Sequence, residues 1–312
     1  MPSFTNAYAQ QLALLMDVLP HVTAESEFAL KGGTAINVLY RNLPRLSVDI
    51  DLVWLPLGHR DAALVGIAKS LGRIGQAVHA TLGCEVRART NREGVPTGLA
   101  IVRRKVPIKI DVTPVMRGSV FEPELRHLQP AAADRFGFLE VRTLGFADLF
   151  AGKLVAALDR QHPRDLFDVM HLMANEGITV DLWSAFLVYL VATSRPAAEM
   201  IDPKRVPLQQ TFVEEFAGMT EDGIDLPTLE RVREAMIAAL QSRIDDNVAE
   251  FLLSVEREAP QWDRLGLPTH VAQLPGVRWK LTNLGKRDPE KRVADLRTLV
   301  QTLERIGKRD RA

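Results

Sequence analysis

The sequence predicts an α/β fold: a small mixed sheet with flanking helices, followed by a C-terminal helical domain. Three observations predict it. Short apolar runs of strand character recur through the first half, at residues 28–31, 48–54, 84–90, 99–104 and 108–112. Stretches with helical spacing lie between and around them. From about residue 178 onward only the helical period remains. A chain of 312 residues can hold two domains and a sizeable core, and the change of pattern divides it into 1–177 and 178–312.

Composition excludes several classes. Hydrophobic residues make up 46% and charged residues 25%, as in an ordinary globular protein. The formal net charge is zero, so no whole-molecule field draws the chain onto nucleic acid, and any basic surface must be local. The single cysteine, Cys84, cannot form an intramolecular disulfide and is expected in the core. No Cys/His cluster has zinc spacing. There is no run of eighteen apolar residues and no signal-peptide pattern, so the expectation is a cytoplasmic protein without a membrane partner.

The first half is organised around Phe28-Ala29-Leu30-Lys31-Gly32-Gly33-Thr34 and, a little later, Arg45-Leu46-Ser47-Val48-Asp49-Ile50-Asp51-Leu52. A short strand enters a Gly-Gly turn, Thr34 opens a helix, and a second strand covers residues 48–54. Alternate side chains of a strand share a face, so Asp49 and Asp51 point one way while Ile50 and Leu52 point into a core. Two carboxylates at that spacing repel unless a cation lies between them. A hard divalent ion, Mg²⁺ or Mn²⁺, suits them, since Mg²⁺ takes one or two carboxylates together with substrate phosphates. A Gly-Gly turn at a helix N-terminus offers N–H groups and a positive dipole end to a phosphate, and Lys31 adds charge beside it. Alone, an Asp-x-Asp is a common strand edge and a Gly-Gly an ordinary turn. In this order they point to a nucleotide handled as its metal complex.

The remaining elements follow in order. Residues 8–19 have helical spacing and are expected to pack beneath the nucleotide site, and 59–82 read as a long amphipathic helix. Gly94-Val95-Pro96 separates two strands as in a hairpin. In Ile108-Lys109-Ile110-Asp111-Val112 the apolar residues share one face, and Lys109 and Asp111 the other. Asp111 is then either half of an exposed ion pair or the third carboxylate of a site able to hold two metal ions about 3.5–4 Å apart. Residues 114–140 read as an irregular connector ending in a short strand. Residues 144–160 are helical, and Pro163 fits the first turn of another helix. Lys153 and Arg160 share a face, and Arg164 and Asp168 are spaced to pair at i, i+4. Beyond 178, helices are expected near 182–192, 208–216 and 229–256, with a loop over 194–207.

Gly-Gly-Thr followed by Arg-x-Ser-x-Asp-Ile-Asp-Leu resembles motif I of the polymerase-β-like nucleotidyltransferases, most of all the AbiEii/MenT-type toxin branch of type IV toxin–antitoxin and phage-defence systems. Lys153-x-x-Ala-x-x-x-Arg160, then Arg164-Asp165-x-x-Asp168, resembles the late motifs of that family, and Val277-Arg278-Trp279-Lys280-Leu281-x-Asn283-Leu284 resembles its C-terminal region. The match covers most of residues 28–172. The resemblance implies a polymerase-β-like sheet, with the active site expected in the cleft between it and the helical domain. It implies nucleotide binding by Lys31, Gly32, Gly33, Thr34, Ser47 and Lys153, a metal set of Asp49, Asp51 and Asp111, and a place for Asp165 in the catalytic pocket. It further implies transfer of a nucleotide from an NTP to an RNA acceptor, the 3′ end of tRNA, and a cognate antitoxin as partner.

In residues 276–312 eleven basic residues face five acidic ones, a balance of +6. A solvated helix with Leu296, Leu299, Val300 and Leu303 inward explains the periodicity but not the excess charge. Arg278, Lys280, Lys286 and Arg287 around Trp279 are candidates for contacts to an RNA backbone with a stacked base. Two other readings share the first motif: a small-molecule nucleotidyltransferase of the antibiotic-modifying kind, and a non-catalytic partner-binding protein of the same fold.

Overall fold

The computed structural model describes residues 6–220 and 222–309, so Asp310 and Arg311 of the basic tail lie outside it. The chain forms two compact units. The first runs to Gly145 and takes in Phe216–Gly223. The second holds Phe146–Glu215 and continues from Ile224.

In the first unit the elements are α1 (Asn6–Thr23), β1 (Phe28–Lys31), α2 (Gly32–Ala35) running into a π turn at Ile36–Tyr40, β2 (Asp49–Trp54) and α3 (Arg60–Leu82). Then come β3 (Glu85–Thr90), β4 (Pro96–Arg103), β5 (Val106–Val112), β6 (Glu124–His127), α4 (Pro130–Phe136) and β7 (Glu140–Thr143). The strands form one mixed sheet in the order β3-β4-β5-β2-β1-β7-β6. β2 is parallel to β5 and β1 to β7, while the other neighbours are antiparallel. Ile50, Leu52, Ile108, Ile110 and Val112 are buried on one face of the sheet. That face is covered by α3, whose Gly66 lies against Trp54 and whose Gly75 lies against Val86 and Leu99. Gly83, at φ +63, ends α3 in the left-handed conformation that glycine adopts without strain, its N–H returning to His79 O. Cys84 is buried just outside β3.

Two parts of this unit were not expected. Residues 114–140 contain β6 and α4 as well as irregular chain. β6 is a four-residue edge strand without apolar alternation, which leaves no periodic signal. Residues 216–223 return to clip the approach to β2: Leu46 N–H donates to Met219 O, Thr220 Oγ1 donates to Pro44 O at 2.9 Å, and Arg45 bridges to Thr220.

The second unit is helical: α5 (Phe146–Arg160), α6 (Pro163–Ala174), α7 (Val180–Val191), α8 (Ala197–Ile201), α9 (Gln209–Glu215), α10 (Leu226–Gln241), α11 (Asp246–Glu256), α12 (Pro275–Gly285) and α13 (Pro289–Arg309). The compact units divide at Gly145 rather than near residue 177, because α5 packs on α7 and α6 packs on α10. A change of periodicity marks where strands end, not where the helices choose their neighbours. α8 lies inside the expected loop, and the expected 229–256 helix is two helices. Asp245 divides them, its carboxylate accepting from Val248 N–H at 2.8 Å as the N-cap of α11. Among the described residues no helix is long and apolar enough to cross a membrane.

Candidate active site

Register sets the first unit's carboxylates side by side. Across β2 and β5, Asp49 is opposite Lys109 and Asp51 is opposite Asp111. Paired residues on neighbouring strands share a face, with the strands about 4.8 Å apart. Lys31 is opposite Asp51, Gly98 is opposite Asp111, and Arg89 is opposite Gly98. The row Arg89–Gly98–Asp111–Asp51–Lys31 therefore runs straight across β3, β4, β5, β2 and β1. Two acids lie in its middle and a base at each end.

The Gly-Gly turn sits against this row. Gly32 has φ +74, and a Cβ there would overlap the Asp51 carboxylate. Both the backbone and the space therefore require glycine. A Cβ on Gly33 would lie 2.8 Å from Ser47 Oγ and 2.8 Å from Arg45 Nη2, so these two side chains line the turn. Thr34 is fully buried and donates its hydroxyl to Asp49 O at 2.6 Å. The hydroxyl docks the turn onto β2, so the nucleotide contact expected of Thr34 is left to its backbone. Arg45 is buried and donates to Leu46 O at 2.8 Å.

Arg89 is a residue that the sequence reading missed. Its Nη1 donates to Asp111 Oδ1 in a short ion pair. The arginine reaches over Gly98, which has no side chain in the way. The signal was present in the alternation Arg87-x-Arg89, but only the hairpin register reveals that Arg89 falls in the carboxylate row. Lys109 and Asp111, read as a possible pair, instead face Asp49 and Arg89.

The donor set suits a hard divalent cation, with Asp49 and Asp51 on one face of one strand and Asp111 beside them. Gly32 and Gly98 keep the flanking space open. The three carboxylates do not converge, however: among the described residues no group of three His, Cys, Asp or Glu is placed to hold an ion. The pair Asp49/Asp51 thus fits as the principal ligands, and Asp111 is turned to Arg89.

In the second unit, Lys153 and Asp165 form a buried ion pair. Lys153 Nζ lies 2.7 Å from Asp165 Oδ1 and 2.9 Å from Asp168 Oδ2, and the side chains are 6%, 1% and 1% exposed. Arg160 brackets Asp165, its Nη2 2.9 Å from Oδ1. Burial pushes the Asp165 carboxyl up, but Lys153 and Arg160 outweigh it and hold the group well below the usual carboxylate range. The expected pairing of Arg164 with Asp168 is replaced: Asp168 pairs with Lys153, and Arg164 with Glu215 at 3.2 Å. Helix α6 buries Asp168 together with Leu172, so its i−4 neighbour on the outer edge meets a different partner.

The C-terminal set also divides. Arg278, Trp279 and Lys286 are exposed, and Arg287 is paired with Asp295 at 2.8 Å. Lys280 is only 3% exposed, and its ammonium donates to Arg195 O at 2.8 Å. It is withdrawn from the RNA-binding set, because a lysine folded inward cannot meet a phosphate at the surface. Burial pulls its pKa down, and Glu256 pulls it partly back.

The profile of one protein family, the nucleotidyl transferase AbiEii toxins of type IV toxin–antitoxin systems, matches residues 13–283. The chain belongs to this family. That span takes in both the carboxylate row and the Lys153–Asp165 pair. The fold is similar to that of MenT4, a nucleotidyltransferase toxin from Mycobacterium tuberculosis H37Rv, at a TM-score of 0.59 over 89% of this chain and 93% of that one. The two are 15% identical, so the likeness speaks for the fold. A comparison with curated proteins gave no match. The AbiEii toxin is thus a nucleotidyltransferase on a mixed α/β sheet, as the first motif implied.

Proposed function

We propose that this AbiEii toxin transfers a nucleotidyl group from an NTP to a hydroxyl of an RNA, the 3′ end of tRNA, and that it does so with a divalent cation. The observation that carries the reading is the in-register pair Asp51 and Asp111, flanked by Lys31 and the Gly-Gly turn. Lys31 and the backbone of Gly32 and Gly33 receive the triphosphate, since leading N–H groups of a helix have no intrahelical partner. Ser47, against Gly33, orients the same phosphates. Asp49 and Asp51 would hold the cation and Asp111 would join them; when bound, such an ion neutralises phosphate charge.

The acceptor oxygen attacks the α-phosphorus, the bond to the β-phosphate oxygen breaks, and pyrophosphate leaves. The hydroxyl proton passes to solvent water at the acceptor, since Asp111 is engaged by the cation. Asp165 is a weak base because two cations hold it ionised. Lys153 and Asp165 keep, as proposals, the nucleotide contact and the pocket position that the family resemblance gives them. The exposed Arg278, Trp279 and Lys286, with the partly exposed Arg287, are the proposed RNA contacts, and a cognate antitoxin is the proposed protein partner, in phage defence among other settings.

The test is incubation of the purified chain with α-labelled NTPs, Mg²⁺ and total RNA. Label is expected in RNA of tRNA size, with pyrophosphate released and neither product formed by Asp51→Asn. Label found only on an added small-molecule acceptor would overturn the RNA reading.

A further inference from the structure

We infer that Arg89 is a positioning residue of this site: it holds Asp111 as a resident counter-cation and yields it when a divalent cation arrives. The inference rests on the nucleotidyltransferase reading above. Three observations carry it.

The first is register. Asp51 and Asp111 are directly opposite, an arrangement that is unfavourable for two like charges unless a cation is near. Lys31 stands on the Asp51 side of the row and Arg89 on the Asp111 side. The second is the bare position between Arg89 and its partner. A Cβ on Gly98 would meet Ile110 O at 2.5 Å and Asp111 Oδ1 at 3.0 Å, so the strand position between Arg89 and Asp111 must stay bare. The third is exposure. The Arg89 and Asp111 side chains are 42% and 45% exposed, against 6% and 1% for Lys153 and Asp165. An ion pair so open to water contributes little and exchanges readily, whereas the buried pair does not. Arg89 is therefore placed to do for Asp111 what the metal does later.

The experiment is Mn²⁺ binding without nucleotide, read from the electron paramagnetic resonance signal of free Mn²⁺. Arg89→Gln should tighten Mn²⁺ binding about two- to fivefold, up to about 1 kcal/mol at 1.4 kcal/mol per decade. Arg89→Lys should stay near wild type. In an Asp111→Asn background Arg89→Gln should bring no further gain, since the coupling runs through that carboxylate. Arg87→Gln removes one charge from the same strand, two residues away, and should leave binding unchanged. Equal tightening by Arg87→Gln, or a gain that persists with Asp111→Asn, would overturn the inference in favour of a general charge effect. Loss of wild-type binding on Asp51→Asn checks the metal reading separately. Absence of binding in wild type and Arg89→Gln alike would overturn both.

Discussion

Asp51 and Asp111 stand directly opposite each other on the parallel neighbours β2 and β5, both half-exposed, with buried apolar residues on either side of them in sequence, Ile50 and Leu52, and Ile110 and Val112. Opposed like charges are unfavourable in a sheet, so the pair is there for a reason other than stability. Asp51→Asn and Asp111→Asn should each lower nucleotide transfer at least about a hundredfold, the scale seen on removing one electrostatic contact to a reacting group. Each should also unfold at the same temperature as wild type or higher. Parallel losses of activity and thermal stability would make the two acids structural.

Gly32 predicts a second separation of effects. Alanine at φ +74 costs about 1–2 kcal/mol, and its Cβ overlaps the Asp51 carboxylate. Gly32→Ala should therefore lower the midpoint of thermal unfolding by a few degrees while activity falls far more, because the displaced group is Asp51. A variant that is destabilised yet fully active when folded would disconnect the turn from the site.

The Lys153–Asp165 pair should behave in the opposite way. Lys153→Met leaves Asp165 and Asp168 buried with one cation fewer, and breaking a buried pair costs about 3–5 kcal/mol. Denaturant unfolding measures it. The pH dependence follows from the depressed carboxyl of Asp165. A carboxylate with a folded pKa below its unfolded value, about 3.9, contributes stability that is present above that value and lost as pH falls below it. Acid titration of stability should thus be shallower in Asp165→Asn than in wild type below about pH 4. Identical acid profiles would show that the pair carries no such linkage.

On the C-terminal helices, charge and burial make distinct predictions. Neutralising Arg278, Lys286 or Arg287 should each reduce the salt slope of RNA binding by about one unit. Trp279→Ala should weaken binding by about 1–3 kcal/mol, the worth of a stacked base, with the slope unchanged. Lys280→Met should leave the slope unchanged, because its ammonium is bonded to Arg195 O. RNA binding by filter retention across salt concentrations tests all of these, and indifference of the first three would return the tail to a solvated helix.

How much of this was legible in the sequence depended on whether a signal was periodic. The alternation Asp49-Ile50-Asp51-Leu52 and Ile108-Lys109-Ile110-Asp111-Val112 gave both strands and the face of every acid, because one side of the sheet is buried. The parallel pairing of those strands leaves no local signal, and the role of Arg89 depends on where the β3–β4 and β4–β5 hairpins turn. Arg104 and Lys105 both have positive φ at the β4–β5 turn, where no glycine announces it. Lys280 was misjudged because charge suggests surface, and only packing shows that it lies on the buried face of α12 with Val277 and Leu284. Lys153 and Asp165 were singled out by the resemblance of their motifs, but Asp168 found its partner through burial rather than through the i, i+4 rule.

The clip at residues 216–223 has a consequence for synthesis. Pro44 and Thr220 are separated by 176 positions, so the segment leading into Ser47 and Asp49 leaves the ribosome long before its anchor is made. Contacts of such range form late. A chain halted before residue 220 carries Asp49, Asp51, Asp111, Lys153 and Asp165 and still lacks the bonds from Met219 and Thr220. Nascent chains stalled at about residue 200 should accordingly transfer less nucleotide than chains stalled well past 220, a comparison that stalled-ribosome assays make directly. The last support of the strand that carries Asp49 and Asp51 is therefore withheld until most of the chain has been translated.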